Sequence, residues 1–198
     1  MGQNTKTIRW GIMGLGNIAH KFAQDLIKIK DAQLYAVASR TKEKATEFAS
    51  NYGVAQIYGD YEDLVNDANI DAIYIATPHV LHKENTLLCL EQGTAVLCEK
   101  PFAVNAKEAQ EMVAAAQKNN VALMEAMWAR FLPHYAKVRE IVDSGVLGPI
   151  LSIHADHGQR LADQGIARLI EPALAGGALL DLGIYPVSFA HMILGTPA

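Results

Sequence analysis

Two places along the chain hold residue types that could do chemistry. The first is Glu99-Lys100-Pro101, which directly follows an apolar, β-branched run. An amine at that point can reach a substrate oxygen, polarise it and exchange a proton. Burial beside a cationic ring would draw its pKa toward the working range. Pro101 is a candidate for a cis bond that aims the lysine. On physics alone, a plain surface lysine is the simpler reading. The second place is Gly176-Gly177-Ala178-Leu179-Leu180-Asp181-Leu182-Gly183-Ile184-Tyr185-Pro186. On a helix, Asp181 and Tyr185 are four apart and share a face. A phenol and a carboxylate side by side can serve as proton donor and orienter. A tyrosine that only packs, with its hydroxyl satisfied, accounts equally well for the spacing.

A third group is suited to binding. Gly14-Leu15-Gly16-Asn17-Ile18-Ala19 is a G-x-G-x-x-A pattern. The first glycine allows a tight turn, the second a close backbone approach to a pyrophosphate, and the small third residue close helix–strand packing. The helix that follows would offer free N–H groups and a favourable dipole to phosphates. Its context, after a predicted strand and before a predicted helix, is the one that makes the pattern meaningful. A glycine-rich turn without a ligand is the bland alternative. About 20 residues further on, an NAD site usually has Asp or Glu for the ribose. This chain has Ser39-Arg40-Thr41 there, with Lys44 nearby. A guanidinium and a hydroxyl can bind a 2′-phosphate that a carboxylate would repel. The residues therefore predict NADP over NAD, unless Arg40 only stacks on the adenine or is solvated.

The elements that must carry these residues alternate. Strands are predicted over 7–13, 33–38, 56–58, 71–76, 94–98 and 121–125. Helices are predicted over 18–28, with Ile18, Phe22 and Leu26 on one face, over 42–52 capped by Thr41, and in a short piece opened by Asp60. Further helices cover 80–92, closed by Gly93, and 106–119, where Asn105 and Glu108 form a capping-box pattern. On the last, Ala109, Met112, Val113 and Ala116 make one stripe. Strands separated by helices of this length imply βαβ units and a parallel sheet, with ligands at its carboxyl edge. The fold class is α/β, a Rossmann-type doubly wound sheet over 1–125, followed over 126–198 by the start of an α+β domain. In that second part, Ile150–Asp156 alternates like an antiparallel strand, Gln159–Ala175 reads as loop, and Ala178–Leu194 reads as helix. One strand and one helix cannot close a second core. The expectation is an incomplete protein, or a piece that depends on a partner.

Composition sets bounds. The 198 residues are 51% hydrophobic and 19% charged, an ordinary globular make-up. A net charge of −4 suits nucleic acid poorly. No run of about 18 apolar residues suggests a membrane span, and the polar start lacks a signal peptide's apolar stretch. Cys89 and Cys98 fit no zinc pattern, and two thiols without an export signal suggest a cytoplasmic protein. His79 and His82 are three apart, without a carboxylate or third ligand. His154 and His157 have Asp156 between them, but on a strand His154 and Asp156 face one way and His157 the other, a weak metal site. No metal is predicted. His79 is a candidate neighbour of a nicotinamide.

These motifs in this order resemble the Gfo/Idh/MocA oxidoreductases over essentially the whole chain. The matching parts are the GLGNIA turn (Gly14, Gly16, Asn17, Ile18), the Ser39-Arg40 strand end, Thr77-Pro78, Glu99-Lys100-Pro101 and the GGALLDLGIYP helix. Most of that family has a histidine where this helix has Tyr185. The tyrosine, together with Glu125-Ala126-Met127-Trp128-Ala129-Arg130-Phe131-Leu132-Pro133, is similar to the branch of dimeric dihydrodiol dehydrogenases and NADP-dependent D-xylose dehydrogenases. The resemblance implies NADP-dependent oxidation of a vicinal diol or cyclic sugar hydroxyl, or the reverse reduction. It implies Lys100 and Tyr185 as catalytic with Asp181 in support, and Trp128 and Arg130 near the substrate. It also implies a homodimer in the full-length form. An NADP-binding homologue without turnover, or a fragment of a larger enzyme, is the rival reading.

Overall fold

The structure is a computed structural model that describes residues 6–161, 163 and 165–196. The chain divides into two compact units, Met1–Glu125 and Ala126–Ala198.

The first unit alternates strand and helix throughout. Its strands are β1 (Ile8–Met13), β2 (Ala32–Ala38), β3 (Gln56–Tyr58), β4 (Ala72–Ile75), β5 (Ala95–Glu99) and β6 (Leu123–Ala126). Its helices are α1 (Asn17–Leu26), α2 (Lys42–Tyr52), α3 (Tyr61–Val65), α4 (His82–Glu91) and α5 (Ala106–Asn119), with a 3-10 turn over His79–Leu81 ahead of α4. The sheet order is β3-β2-β1-β4-β5-β6, and the pairs from β3 across to β5 are parallel. The order reverses between β1 and β4. That is the switch point where an open α/β sheet leaves a crevice at its carboxyl edge.

Because helices cover both faces, the central strands are apolar on both sides. Ile12, Met13, Val37, Ile73 and Ile75 are fully buried, and Leu90 and Met112 cover them from α4 and α5. Each such side chain contributes about 1.5–3 kcal/mol by leaving water. On the α1 side, Phe22 stacks on Tyr74 with ring centroids 3.9 Å apart, and Trp10 meets Phe22 edge-on.

Local signals set the element ends. Asp60 accepts from the Asp63 N–H, and Asn105 from the Glu108 N–H. Gly93 takes a positive φ after α4. Thr41 occupies the N-cap of α2, but its side chain makes no cap hydrogen bond. The buried stripe of α1 is Ala19, Ala23 and Leu26, whereas Ile18 is 42% exposed. The small residues face the sheet because a helix that leaves the strand so abruptly must pack close to it. Val113 is likewise exposed, leaving Met112 and Ala116 as the buried face of α5.

The second unit holds a 3-10 turn over Trp128–Phe131, then α6 (Pro133–Asp143), α7 (Ala167–Ile170) and α8 (Ile184–Leu194), with a π-turn over Leu179–Gly183 leading into α8. Residues 150–156 form no strand. Their alternation is that of a strand, but an extended segment persists only where a neighbour pairs its N–H and C=O groups, and none of the described residues of this unit forms a strand against it. The expected loop over 159–175 contains α7 and a 3-10 turn at Pro172–Leu174. By length and composition alone, Pro172–Leu194 is apolar enough to cross a membrane. It is not one helix, because Ala175 and Gly177 break it with positive φ values. The helical part after them falls short of the roughly 20 residues a span needs.

Candidate active site

The carboxyl edge of the sheet in the first unit gathers most of the residues singled out above. β1 ends at Met13 and the chain turns at Gly14, whose φ is +87°. A Cβ at Gly14 would lie 2.9 Å from the Ala76 carbonyl carbon and from Thr77 backbone and side-chain atoms. The turn is therefore pressed against the loop after β4. At Gly16, the N-cap of α1, a Cβ would meet nothing within 4 Å. No side chain caps this helix and no acidic residue lies in its first turn. Helix geometry points the N–H groups of the first turn out of the helix start, though that of Ala19 folds back on the Gly16 carbonyl at 3.0 Å. An anion fits this place, and a dinucleotide pyrophosphate is the anion the motif is built for.

β2 ends at Ser39, which is buried, and Arg40, which is exposed. Arg40 lines a cleft of about 730 Å³ together with Tyr61, Lys83 and Asn85. Burial pushes the Tyr61 phenol up, against the pull of the Arg40 charge. Tyr61 and Lys83 escaped the sequence reading, since nothing in their spacing ties them to the end of β2.

After β4, Thr77 is held by α4. Its carbonyl lies 3.0 Å from His82 Nε2, and its hydroxyl accepts from Asn85 Nδ2 at 2.9 Å. His82 Nδ1 lies 2.9 Å from the Pro101 carbonyl. The ring thus spans two loops, and burial holds its pKa below the ordinary histidine value. A neutral ring donates to only one of the two carbonyls. His79, also buried, opens the 3-10 turn after Pro78, with its ring centroid 6.4 Å from that of His82.

β5 ends at Glu99, which is 8% exposed. Tyr74 donates its hydroxyl hydrogen to Glu99 Oε1, and the Lys100 N–H donates to Glu99 Oε2 at 3.0 Å. Burial pushes the Glu99 carboxyl above the usual range, against the hydrogen bonds from Tyr74 and Lys100 and the Lys100 charge. Lys100–Pro101 is a cis peptide, and the Phe102 N–H donates to Glu125 Oε1 at 3.0 Å. The lysine backbone is therefore anchored on both sides: by Glu99 before it, and by His82 and Glu125 after it.

The second unit surrounds Tyr185. Trp128 Nε1–H donates to its hydroxyl at 3.1 Å, and the His157 ring stacks on it with centroids 5.1 Å apart. Asp181 meets Arg168 Nη1 at 3.4 Å. Arg130 grips α8, donating to the Ser188 hydroxyl at 2.8 Å and to its carbonyl at 3.1 Å, with His191 Nδ1 also at 3.1 Å. This arginine splints the Trp128 turn to α8. His157 lay outside the expected set because it sits in irregular chain, where spacing says nothing about direction. Among the described residues, no group of three or more His, Cys, Asp or Glu is placed to hold a metal.

A parallel sheet of this order, with a glycine turn opening onto a helix N-terminus, defines the class of nucleotide-binding Rossmann proteins. Residues 8–127 match the oxidoreductase family with an NAD-binding Rossmann fold, Gfo/Idh/MocA, and residues 135–198 match a C-terminal domain of the same family. The chain belongs to the Gfo/Idh/MocA oxidoreductases. It is 45% identical over 190 residues to a mouse trans-1,2-dihydrobenzene-1,2-diol dehydrogenase and 42% identical to the human one, covering 95% of this chain and 56% of each relative. The chain thus spans about half the length of the curated relatives it matches. Among solved structures it is similar to KijD10, a 3-ketoreductase from Actinomadura kijaniata in complex with TDP-benzene and NADP, with a TM-score of 0.79 at 29% identity over 96% of this chain and 57% of that one. A myo-inositol 2-dehydrogenase from Lactobacillus plantarum aligns with a TM-score of 0.87 at 26% identity, again over 96% of this chain and 57% of that one.

Proposed function

We propose that this protein is an NADP-dependent oxidoreductase that acts on a CH–OH group of a cyclic diol or sugar. The observation that carries the reading is the anchoring of Lys100 at the carboxyl end of β5, on the sheet edge where Gly16 leaves the N-terminus of α1 open. The relatives support it, being dehydrogenases of a cyclic diol and of inositol and a ketoreductase in complex with NADP.

A bound nicotinamide supplies or accepts the hydride. The backbone at Gly14–Ile18 would hold the pyrophosphate, and Arg40 with Ser39 would face the ribose, where the guanidinium would balance a 2′-phosphate. Thr77, Pro78, His79 and Glu99 would border the nicotinamide. Lys100 donates a hydrogen bond to the substrate oxygen, gives it a proton in reduction and takes one in oxidation. Tyr185, whose hydroxyl receives the Trp128 indole N–H, is the second proton-donating group of the reaction. Asp181 supports this helix turn through Arg168.

The test is direct. NADPH binding is measured by calorimetry, and turnover by nicotinamide absorbance with a panel of diols and sugars. Lys100→Met should cut turnover by about a hundredfold or more, the usual worth of a positioned proton donor, with NADPH affinity nearly unchanged. Binding without any turnover in the unaltered protein would instead favour an NADP-binding homologue that lacks the reaction. Full activity in Lys100→Met would remove the lysine from the mechanism.

A further inference from the structure

The turn that carries Trp128 has little of its own to hold it in place. It is a single 3-10 turn, Trp128–Phe131, in which Ala129 alone is buried, and Trp128 itself is 51% exposed. Its indole N–H nevertheless meets the Tyr185 hydroxyl at 3.1 Å. An indole N–H only donates, so the phenol oxygen is the acceptor of that pair.

Arg130, two residues further on, accounts for the placement. Its Nε–H donates to the Ser188 hydroxyl at 2.8 Å. Its Nη2 donates to the Ser188 carbonyl and to His191 Nδ1, both at 3.1 Å. Arginine has no acceptor, so His191 Nδ1 supplies the lone pair in that contact. All three acceptors belong to α8, and Ser188 lies three residues after Tyr185, a neighbour on the helix surface. The turn therefore meets α8 at two levels, through Trp128 at Tyr185 and through Arg130 at Ser188 and His191.

The same bonds limit what else Arg130 can do. A guanidinium recognises a carboxylate or a pair of oxygens through two parallel N–H groups on different nitrogens. Here Nε and both hydrogens of Nη2 are engaged on α8, so neither such fork is left for a substrate.

We propose that Arg130 is a positioning residue for Tyr185: by gripping Ser188 and His191 it locks the Trp128 turn to α8, and so keeps the indole N–H on the Tyr185 hydroxyl. With the indole hydrogen on one lone pair, the phenol directs its own hydrogen away from Trp128. That Tyr185 then acts on a substrate rests on the proposed function. The placing of Trp128 by Arg130 does not.

The chain has two tryptophans, Trp10 and Trp128, so an NMR spectrum of the indole N–H groups has two signals. Tyr185→Phe removes the acceptor and identifies the Trp128 signal by its shift. Arg130→Met should move that signal in the same direction and by about as much. Arg130→Lys keeps the charge without the fork and should not restore it. An unmoved Trp10 signal and a wild-type melting temperature report an intact fold. If Arg130→Met does not fold, Ser188→Ala removes one acceptor and should move the Trp128 signal part of the way. Turnover gives a second readout. Arg130→Met should lower kcat about tenfold, the worth of one hydrogen bond, with KM within about twofold. Trp128→Phe should lower kcat by a similar factor, and the double variant should lose no more than either. An unmoved Trp128 signal in Arg130→Met, or in Ser188→Ala where that is the variant that folds, overturns the proposal. Losses that multiply in the double variant overturn it too, as does a loss confined to KM, which would put Arg130 on the substrate. Absence of turnover in the unaltered protein would count against the proposed function and leave the spectrum to decide this one.

Discussion

Gly14 and Gly16 are two residues apart and have opposite jobs, so alanine at each should separate stability from binding. At Gly14 the φ of +87° already costs an L-residue about 1–2 kcal/mol. The added Cβ would also sit 2.9 Å from backbone atoms of Ala76 and Thr77, which cannot swing aside like a side-chain tip. Overpacking of that kind adds about 1–3 kcal/mol. The total, about 2–5 kcal/mol, is a large share of the roughly 5–15 kcal/mol that holds a domain folded. At about 2–4 °C per kcal/mol for a chain of this size, Gly14→Ala should melt roughly 5–15 °C early. At Gly16 the backbone is extended, with φ −89° and ψ −172°, and the Cβ would point into open space. The cost to folding is at most about 1 kcal/mol, that of an alanine N-cap. The methyl group would stand where the phosphates must approach, however, so NADPH affinity should fall about tenfold or more. Thermal melts followed by circular dichroism and titration with NADPH read the two effects. Wild-type affinity in Gly16→Ala, or wild-type melting in Gly14→Ala, would refute the reasoning.

Other consequences are as direct. Arg40→Asp should weaken NADPH by about tenfold or more, the worth of one charge-assisted hydrogen bond, and NADH far less; calorimetry with both nucleotides compares them, and equal losses would contradict a 2′-phosphate contact. His82 has a folded-state pKa below its ordinary value of 6.5, so the unfolded chain binds more protons as the pH drops through 6.5. Stability should decline over that fall and level off below the folded value; urea midpoints across the range should show it, and His82→Gln should flatten it. Burial pushes both Cys89 and Cys98 thiols up to about 12, so neither should react with a thiol reagent at pH 8 until urea unfolds the protein.

What the sequence alone made legible is what depends on neighbours along the chain. Hydrophobic runs placed the six strands, and glycine placement marked the turn before α1 and the end of α4. Asn105 with Glu108 marked the start of α5. Strand ends in a doubly wound sheet share one edge, so Arg40, Thr77 and Lys100 could be put there before any coordinates existed. The pattern misled where burial decides direction. Ile18 and Val113 obey helical spacing yet face water, because how closely a helix lies on its sheet is not written in its own period. Residues 150–156 alternate like a strand, but alternation cannot supply the partner whose backbone a strand needs. Tertiary structure alone decided which side chains meet. Tyr74 finds Glu99 across 25 positions, His82 finds Pro101 across 19, and Trp128 finds Tyr185 across 57. Contacts of that span depend on strand register, helix placement and rotamer together, and no short window of sequence contains all three.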